Sequence, residues 1–105
     1  MAVARVWAPF ARTVMMIVGG KHYPMSDEGL GWWMLDSPQA GHGVDYAFVL
    51  DGSEPLPDPR SPWQPYGVHG FSRMLDHSLF AWTEARWQPP PLSSAVIYEL
   101  HTGTF

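Results

Sequence analysis

The clearest structural signal in this sequence is the stretch Val44-Asp45-Tyr46-Ala47-Phe48-Val49-Leu50-Asp51-Gly52. Its large apolar residues recur at every second position from 44 to 50, which is the period of a β-strand with one face on a core. The Asp51-Gly52 pair that follows can supply the positive φ that many turns require. We therefore predict a strand over residues 44–50 that ends in a turn.

Apolar runs earlier in the chain extend this pattern. We predict strands over residues 3–7, 13–18 and 31–35, and the β-branched and methionine content of 13–18 indicates burial on both faces. Gly (10) and Pro (11) fall between the runs as turn residues and leave little room for helices. Short strands about ten residues apart, with turn signals between them, are typical of a β-sandwich.

The second half of the chain is less regular. Five prolines between residues 54 and 70 predict a long ordered loop or a strap across the surface. Residues 71–82 have only loosely helical spacing, so we predict no more than a turn or a short strand there. Residues 88–91 read as a rigid Pro-rich linker, and residues 95–100 are again β-like.

Composition excludes several classes of protein. With 46% hydrophobic and 15% charged residues the chain has enough apolar surface to fold. Its net charge of −4, with six Lys and Arg and no basic cluster, argues against a nucleic-acid partner. The longest purely apolar run, residues 14–18, is far shorter than the ~20 residues of a membrane span. Because there is no cysteine either, we expect a soluble cytoplasmic protein with no membrane partner.

The sequence offers little support for catalysis or metal binding. The five histidines are scattered and lack the short spacings that metal ligands commonly have. No Gly-x-Ser-x-Gly motif is present, and the acidic residues sit mostly in turn-like sequence, where capping or solvated carboxylates are usual. We therefore expect no catalytic residue, no metal and no cofactor site in this chain.

The six tryptophans are the most suggestive residues. Flat indole faces stack on sugar rings, but they also serve as core residues or pack against another domain. Trp32 and Trp33 are adjacent in a predicted strand, so their side chains must point to opposite faces and at most one belongs to the core. The other is exposed, covered by another domain, or stacked on a sugar.

Five stretches together resemble the N-terminal domain of alpha-amylase-superfamily enzymes of the branching, debranching and trehalose-releasing kind. They are Val6-Trp7-Ala8-Pro9 with Ala11 and Val14, Gly31-Trp32-Trp33, Tyr46-Ala47-Phe48-Val49-Leu50-Asp51-Gly52, Pro57-Asp58-Pro59-Arg60-Ser61, and Val96-Ile97-Tyr98-Glu99-Leu100-His101. Two further stretches, Trp63-Gln64-Pro65 and Gly67-Val68-His69-Gly70, make the chain most similar to the trehalose-releasing members. It departs from their pattern at Tyr66 and Phe71, where Asp and Pro are more usual.

The resemblance implies an immunoglobulin-like β-sandwich of the early-set type over residues 1–88, followed over 89–105 by a linker and the first strand of a (β/α)8 barrel. The catalytic carboxylates of the family lie further along the chain. The implied partner is therefore the catalytic barrel, and the implied reaction is hydrolysis of an α-1,4-glucosidic bond without a redox cofactor. The candidate residues for carbohydrate binding or domain packing are Trp32, Trp33, Trp63, Tyr66 and His69.

Three functional hypotheses remain open from the sequence. The leading one is a structural domain that packs on the barrel and shapes its substrate cleft. The second is an α-glucan-binding module that holds maltooligosaccharide through Trp32 or Trp33, and the third is a stand-alone interaction protein. Because an unpaired apolar strand is a liability, we expect residues 96–105 to be disordered, laid back on the sandwich, or paired with a neighbouring copy.

Overall fold

The computed structural model describes residues 2–37 and 39–104. The described residues form seven β-strands, two short 3₁₀ turns (His77–Leu79 and Leu92–Ser94) and no α-helix. In chain order the strands are β1 (Ala2–Trp7), β2 (Val14–Val18), β3 (Lys21–Pro24), β4 (Ser26–Gly29), β5 (Trp32–Ser37), β6 (Asp45–Leu50) and β7 (Ser72–Arg73). They build two antiparallel sheets, with strand orders β1-β5-β4 in the first sheet and β3-β2-β6-β7 in the second.

The first sheet has one buried and one open face. Val6 pairs with Trp33 across β1 and β5, and both side chains are buried in the core. One residue further along, Trp7 pairs with Trp32 on the opposite, outer face. The two-residue period of the strands therefore separates a core face from an outer face that carries two indoles.

The second sheet has β2 and β6 at its centre. Met16 pairs with Phe48 on the face toward the first sheet, while Ile17 pairs with Ala47 on the other face. All four side chains are buried, so the predicted burial of β2 on both faces is confirmed. The chain crosses from the second sheet to the first at Met25, between β3 and β4. Met25 is also buried, and its N–H donates to the Val14 carbonyl at 2.9 Å.

The core lies between the two sheets and confirms the predicted all-β, immunoglobulin-like sandwich at the level of two packed antiparallel sheets. The first sheet contributes alternate residues of β1 and β5, and the second sheet contributes alternate residues of β2 and β6, as binary patterning requires. The members of this core cluster are Ala4, Val6, Ala8, Val14, Met16, Val18, Met25, Trp33, Tyr46 and Phe48.

The turn between β4 and β5 is unusually tight. Leu30 and Gly31 have φ of 55° and 85°, and positive φ at both central positions matches the type I′ hairpin turn. A Cβ at residue 31 would lie 2.8 Å from both the Pro9 Cβ and the Trp7 Nε1, so only glycine fits there. Leu30 adopts the left-handed conformation at a cost of about 1 kcal/mol, and its side chain is almost fully exposed.

Two strands were not predicted, and one predicted strand is wrong. β3 and β4 consist mainly of exposed polar residues at sheet edges, so they lack the apolar alternation that identified the others. Residues 95–100, predicted as β-like, form no strand, because no neighbouring strand supplies backbone partners. The 71–82 stretch contains only β7 and one 3₁₀ turn, as expected.

The C-terminal arm, defined here as residues 75–104, lies outside the core. Every residue in it is exposed, including Val96 and Ile97, so residues 96–104 are not laid back on the sandwich; Phe105 lies outside the described residues. The Cα radius of gyration is 18.0 Å, against about 13 Å for a compact domain of this length. The domain boundary at residue 88 stays a prediction.

We expect Phe48→Ala to lower the free energy of unfolding by about 3–5 kcal/mol or to unfold the domain, because it opens a cavity at a core residue. Phe48 is 2% exposed, whereas Phe10 in the β1–β2 loop is 96% exposed. Phe10→Ala is therefore the matched control, with an expected change within about 0.5 kcal/mol. Urea denaturation followed by tryptophan fluorescence measures both variants. Similar losses in the two would contradict the assignment of Phe48 to the core.

Candidate functional site

Residues 54–71, here called the strap, are an ordered loop held against the second sheet. Leu56 exchanges two backbone hydrogen bonds with Phe48, at 2.8 and 2.9 Å. Asp58 makes four more. Its Oδ2 accepts from the Tyr46 hydroxyl at 2.6 Å and its own N–H donates to Ser72 Oγ, while its Oδ1 accepts from the Arg60 N–H at 2.9 Å and its carbonyl accepts from the Ser61 N–H at 3.1 Å. The predicted strap is thus confirmed as an ordered element.

The hydrogen bond between Tyr46 and Asp58 joins the core to the strap. Burial raises the pKa of the Tyr46 hydroxyl above its usual value, and the Asp58 carboxylate raises it further. The hydroxyl therefore stays protonated over the physiological range and remains a hydrogen-bond donor to Asp58. This fixes the position of the Asp58-Pro59-Arg60 segment relative to the core.

A second set of contacts, here called the Arg73 cluster, ties the far part of the strap to β6 and β7. Arg73 and Asp45 are cross-strand partners and form a two-pronged ion pair, with Nε–Oδ1 at 2.6 Å and Nη2–Oδ2 at 3.1 Å. Tyr66 donates its hydroxyl to Asp45 and accepts from Arg73 Nη2. The guanidinium also lies 5.2 Å from the Trp63 ring centroid and 5.6 Å from that of Tyr66.

The ion pair sets the electrostatics of this cluster. The hydrogen bond from Arg73 holds the pKa of the Asp45 carboxyl below its usual range, and the Tyr66 hydroxyl acts in the same direction. His42 extends the cluster, since its ring lies 5.6 Å from Trp63 and its Nδ1 accepts from the Asp76 N–H at the base of the arm. The cluster therefore connects the strap, the second sheet and the C-terminal arm.

The five site residues predicted from the sequence do not form a single site in the structure. Trp63 and Tyr66 come together in the Arg73 cluster, whereas His69 is exposed on the strap with no ring hydrogen bond to any described residue. Trp33 is buried and donates its Nε1–H to the Ala8 carbonyl at 3.2 Å, so its indole is not available to a ligand. Trp32 lies on the outer face, which confirms that the adjacent pair points to opposite sides.

Trp32 forms a groove with residues that sequence reasoning did not single out. The Trp7–Trp32 groove, of about 420 Å³, is lined by Val6, Trp7, Trp32, Asp58, Pro59 and Arg60. The Arg60 Cζ lies 5.8 Å from the Trp32 ring centroid, and Trp7 is 58% exposed. The sequence signal for Trp7 was its position, one residue out of phase with the apolar Ala4 and Val6 of β1 and with Ala8, which follows the strand.

The C-terminal arm presents the largest group of exposed apolar side chains. Near its base, Phe80 and Trp82 pack edge to face with ring centroids 4.7 Å apart, beside a hollow that is also lined by His42. The other large exposed residues of the arm are Leu75, Leu79, Trp87, Leu92, Val96, Ile97, Tyr98 and Leu100. A concentration of exposed apolar side chains of this kind is typical of an interaction site.

Within residues 2–37 and 39–104 no group of three or more His, Cys, Asp or Glu side chains is arranged to hold a metal ion. None of the described helical segments is long and apolar enough to cross a membrane.

Known proteins resemble this chain over nearly its whole length. A malto-oligosyltrehalose trehalohydrolase from Rhizobium sp. (strain M-11) is 47% identical over 109 residues, and one from Arthrobacter ramosus is 45% identical over 104 residues; each match covers 95% of this chain and 18% of the relative. A crystal structure assigned as an alpha-amylase from Salmonella typhimurium superposes with a TM-score of 0.84 at 37% identity, over 98% of this chain and 18% of that one. The chain is similar to the N-terminal regions of alpha-amylase-family enzymes.

This similarity confirms the family resemblance that the sequence motifs indicated. The chain matches no protein-family model. The chain spans about a fifth of the length of the relatives that it matches.

The stability of this domain should fall at acid pH through Asp45 and Asp51. The Asp51 carboxylate accepts from the N–H groups of Thr13 and Arg12, and these bonds lower its pKa as Arg73 lowers that of Asp45. A carboxyl whose pKa is lower in the folded state contributes stability above its unfolded pKa, near pH 4, and loses it as the pH falls through the folded pKa.

We therefore expect the urea midpoint to fall between about pH 5 and pH 2, and Asp45→Asn to make that fall shallower. Asp36→Asn, an exposed residue on β5 with no side-chain hydrogen bond to a described residue, is the matched control. An Asp45→Asn profile as steep as that of the unmodified chain would contradict a stabilising role for the Arg73–Asp45 pair.

Proposed function

We propose that this chain is a non-catalytic N-terminal domain of a glycoside hydrolase that releases trehalose from maltooligosyl trehalose, and that it packs on and orients the catalytic domain. The observation that carries this proposal is the C-terminal arm, whose apolar residues are all exposed. A polypeptide with this much uncovered apolar surface gains free energy when another surface covers it.

The composition of the arm favours a protein surface as that cover. It carries Phe80, Trp82, Trp87 and Tyr98, and large aromatic residues are enriched at the energetic centres of protein interfaces. The arm is also attached firmly at its base, where Met74 exchanges backbone hydrogen bonds with Gly43 and Val44. A domain bound through such an arm would be held in a defined orientation.

The roles of the carboxylates support a non-catalytic domain. Asp45 is paired with Arg73, Asp51 accepts two backbone N–H groups, and Asp58 accepts from Tyr46 and Arg60. Glycoside hydrolysis requires two carboxyl groups that flank the scissile bond and are free to act as acid, base or nucleophile. These three acids are instead used to hold the strap and the loops in place.

The relatives supply the rest of the proposal. The malto-oligosyltrehalose trehalohydrolases that match this chain are more than five times its length, which leaves ample sequence for a catalytic domain. In a barrel enzyme of this type, a sandwich that precedes the barrel can wall or stabilise the active-site face without contributing the reacting groups. We place this enzyme in the cytoplasm, which fits the cysteine-free sequence.

The proposal predicts two results. First, the 105-residue chain incubated with maltooligosyl trehalose should release no trehalose above the rate without protein. Second, the chain should associate with the Rhizobium sp. (strain M-11) relative from which the matched 109-residue region has been removed, as measured by size-exclusion chromatography with light scattering. The removed region itself is the positive control.

A paired substitution tests the role of the arm. Trp82→Ser with Ile97→Ser should abolish association, whereas Val68→Ser, an exposed apolar residue of the strap, should leave it unchanged. Robust trehalose release by the chain alone would contradict a non-catalytic role. Association of the positive control without association of this chain, or no effect of the arm substitutions, would contradict packing through the arm.

A further inference from the structure

We propose that His42 forms a pH-dependent joint that sets the direction of the C-terminal arm. The neutral imidazole holds the base of the arm through the Asp76 backbone, and the protonated ring releases it. The effect of this joint on packing against a catalytic domain rests on the proposed function, whereas the joint itself rests on the contacts around residue 42.

A single hydrogen bond ties the arm to the other described residues. Met74, the residue before the arm, is fixed by backbone hydrogen bonds to residues 43–44. From residue 75 to residue 104, the one hydrogen bond to the sandwich or the strap is donated by the Asp76 N–H to His42 Nδ1, at 3.1 Å. No described residue of the arm is buried, so little apolar packing holds it. The direction of the arm at its base therefore depends on this bond.

The bond between Asp76 and His42 requires a neutral imidazole. A backbone N–H can only donate, so the Nδ1 atom that receives it carries the lone pair and the ring proton is on Nε2. Imidazole side chains gain a second proton between about pH 8 and pH 5, and both ring nitrogens are then donors. Two N–H groups cannot bond to each other. The bond is therefore present at the upper end of this pH range and is lost as the pH falls.

The charged and titratable groups that share a cavity with His42 come from five parts of the chain. They are Asp76 and His77 of the arm, Arg73 of β7, Tyr46 of β6, Asp58 of the strap and Arg5 of β1. Both arginines are in ion pairs, and the Tyr46 hydroxyl donates to Asp58. Hydrogen bonds from Ser78 hold the pKa of the Asp76 carboxyl below its usual range, so it stays ionised. Of the side-chain types in this cavity, only histidine ordinarily changes charge between about pH 8 and pH 5.

Protonation also changes which atoms attract the His42 ring. The Trp63 ring centroid is 5.6 Å from that of His42 and 5.2 Å from the Arg73 Cζ, so an imidazolium and a guanidinium would share one indole and repel each other. The Asp76 carboxylate attracts the imidazolium, but its Oδ1 already accepts from the Ser78 N–H and hydroxyl, at 2.9 and 2.6 Å, which leaves Oδ2. The ring therefore turns from the backbone of Asp76 toward its side chain, and the base of the arm loses its fixed direction.

The joint lies next to the apolar part of the arm. His42 lines the hollow of about 450 Å³ beside the edge-to-face pair of Phe80 and Trp82. A rotation at Asp76 moves both rings relative to the sandwich, because they follow it directly along the chain. The arm would thus present its aromatic residues in one direction at neutral pH and in several directions at mildly acid pH.

The test is NMR spectroscopy of the ¹⁵N-labelled chain between about pH 8 and pH 5.5, above the acid range in which Asp45 and Asp51 lose their contribution to stability. The ring ¹⁵N shifts of His42 report its protonation, the Asp76 amide signal reports the bond, and the heteronuclear NOE of the Trp82 indole N–H reports the mobility of the arm. We expect an unprotonated Nδ1 at the upper pH. As His42 titrates, the Asp76 signal should move and the Trp82 NOE should fall with the same midpoint.

Two variants separate the joint from other effects of pH. His42→Asn places an amide oxygen near the position of Nδ1, where it can accept from the Asp76 N–H but cannot titrate, so the Asp76 and Trp82 signals should no longer follow the pH. His77→Asn is the matched control, because it removes the neighbouring imidazole, which makes no side-chain hydrogen bond to a described residue. This variant should keep the full response.

Association with the truncated Rhizobium relative measures the consequence for packing. It should weaken about three- to tenfold over the same pH range, the change that corresponds to one hydrogen bond, and the His42→Asn chain should lose this difference. An Asp76 signal that does not follow His42, an unchanged response in His42→Asn, or a lost response in His77→Asn would each overturn the proposal. A chain that associates at no pH contradicts the proposed function instead, and the Asp76 and Trp82 signals then decide the joint on their own.

Discussion

The antiparallel pairing of Val6 with Trp33 across β1 and β5 fixes which side chains of the first sheet enter the core. Because side chains alternate strictly along a strand, a shift of one residue would expose Trp33 and bury Trp32. The hydrogen bond from Trp33 Nε1 to the Ala8 carbonyl holds the observed register, since it can form only with the indole on the core side. Both the packing of the sandwich and the pair of indoles on its outer face depend on this register.

The strap connects the outer face of the first sheet to the second sheet. Asp58 is held by Tyr46 and Ser72, which belong to β6 and β7, while its neighbour Arg60 lies over Trp32 of the first sheet. The position of Arg60 is therefore fixed by contacts that begin inside the domain. They run from the buried Tyr46 hydroxyl through the Asp58 carboxylate to the exposed Arg60 guanidinium. The Arg73 cluster performs the same task further along the strap.

The sequence allowed the central strands to be predicted, because their core residues follow the two-residue period. The alternation in β6 and the apolar content of β2 lie within single stretches, and so does the opposite orientation of Trp32 and Trp33. Trp7 was not recognised as a partner of Trp32, because that proximity depends on pairing across 25 residues.

The same limit explains the other differences between prediction and structure. The Arg73 cluster joins residues whose proximity depends on the path of a long loop, and no local pattern reports such a path. Residues 95–100 have β-like composition but no adjacent strand, so composition alone led to the wrong secondary structure there. β4 was missed because its short, exposed sequence Ser26-Asp27-Glu28-Gly29 contains no apolar residue, and its pairing with β5 shifts register between Asp27 and Gly29. An acidic, irregular edge of this kind is a poor template for another chain's strand, so a protein with an uncovered apolar arm is protected at this edge against sheet-to-sheet aggregation.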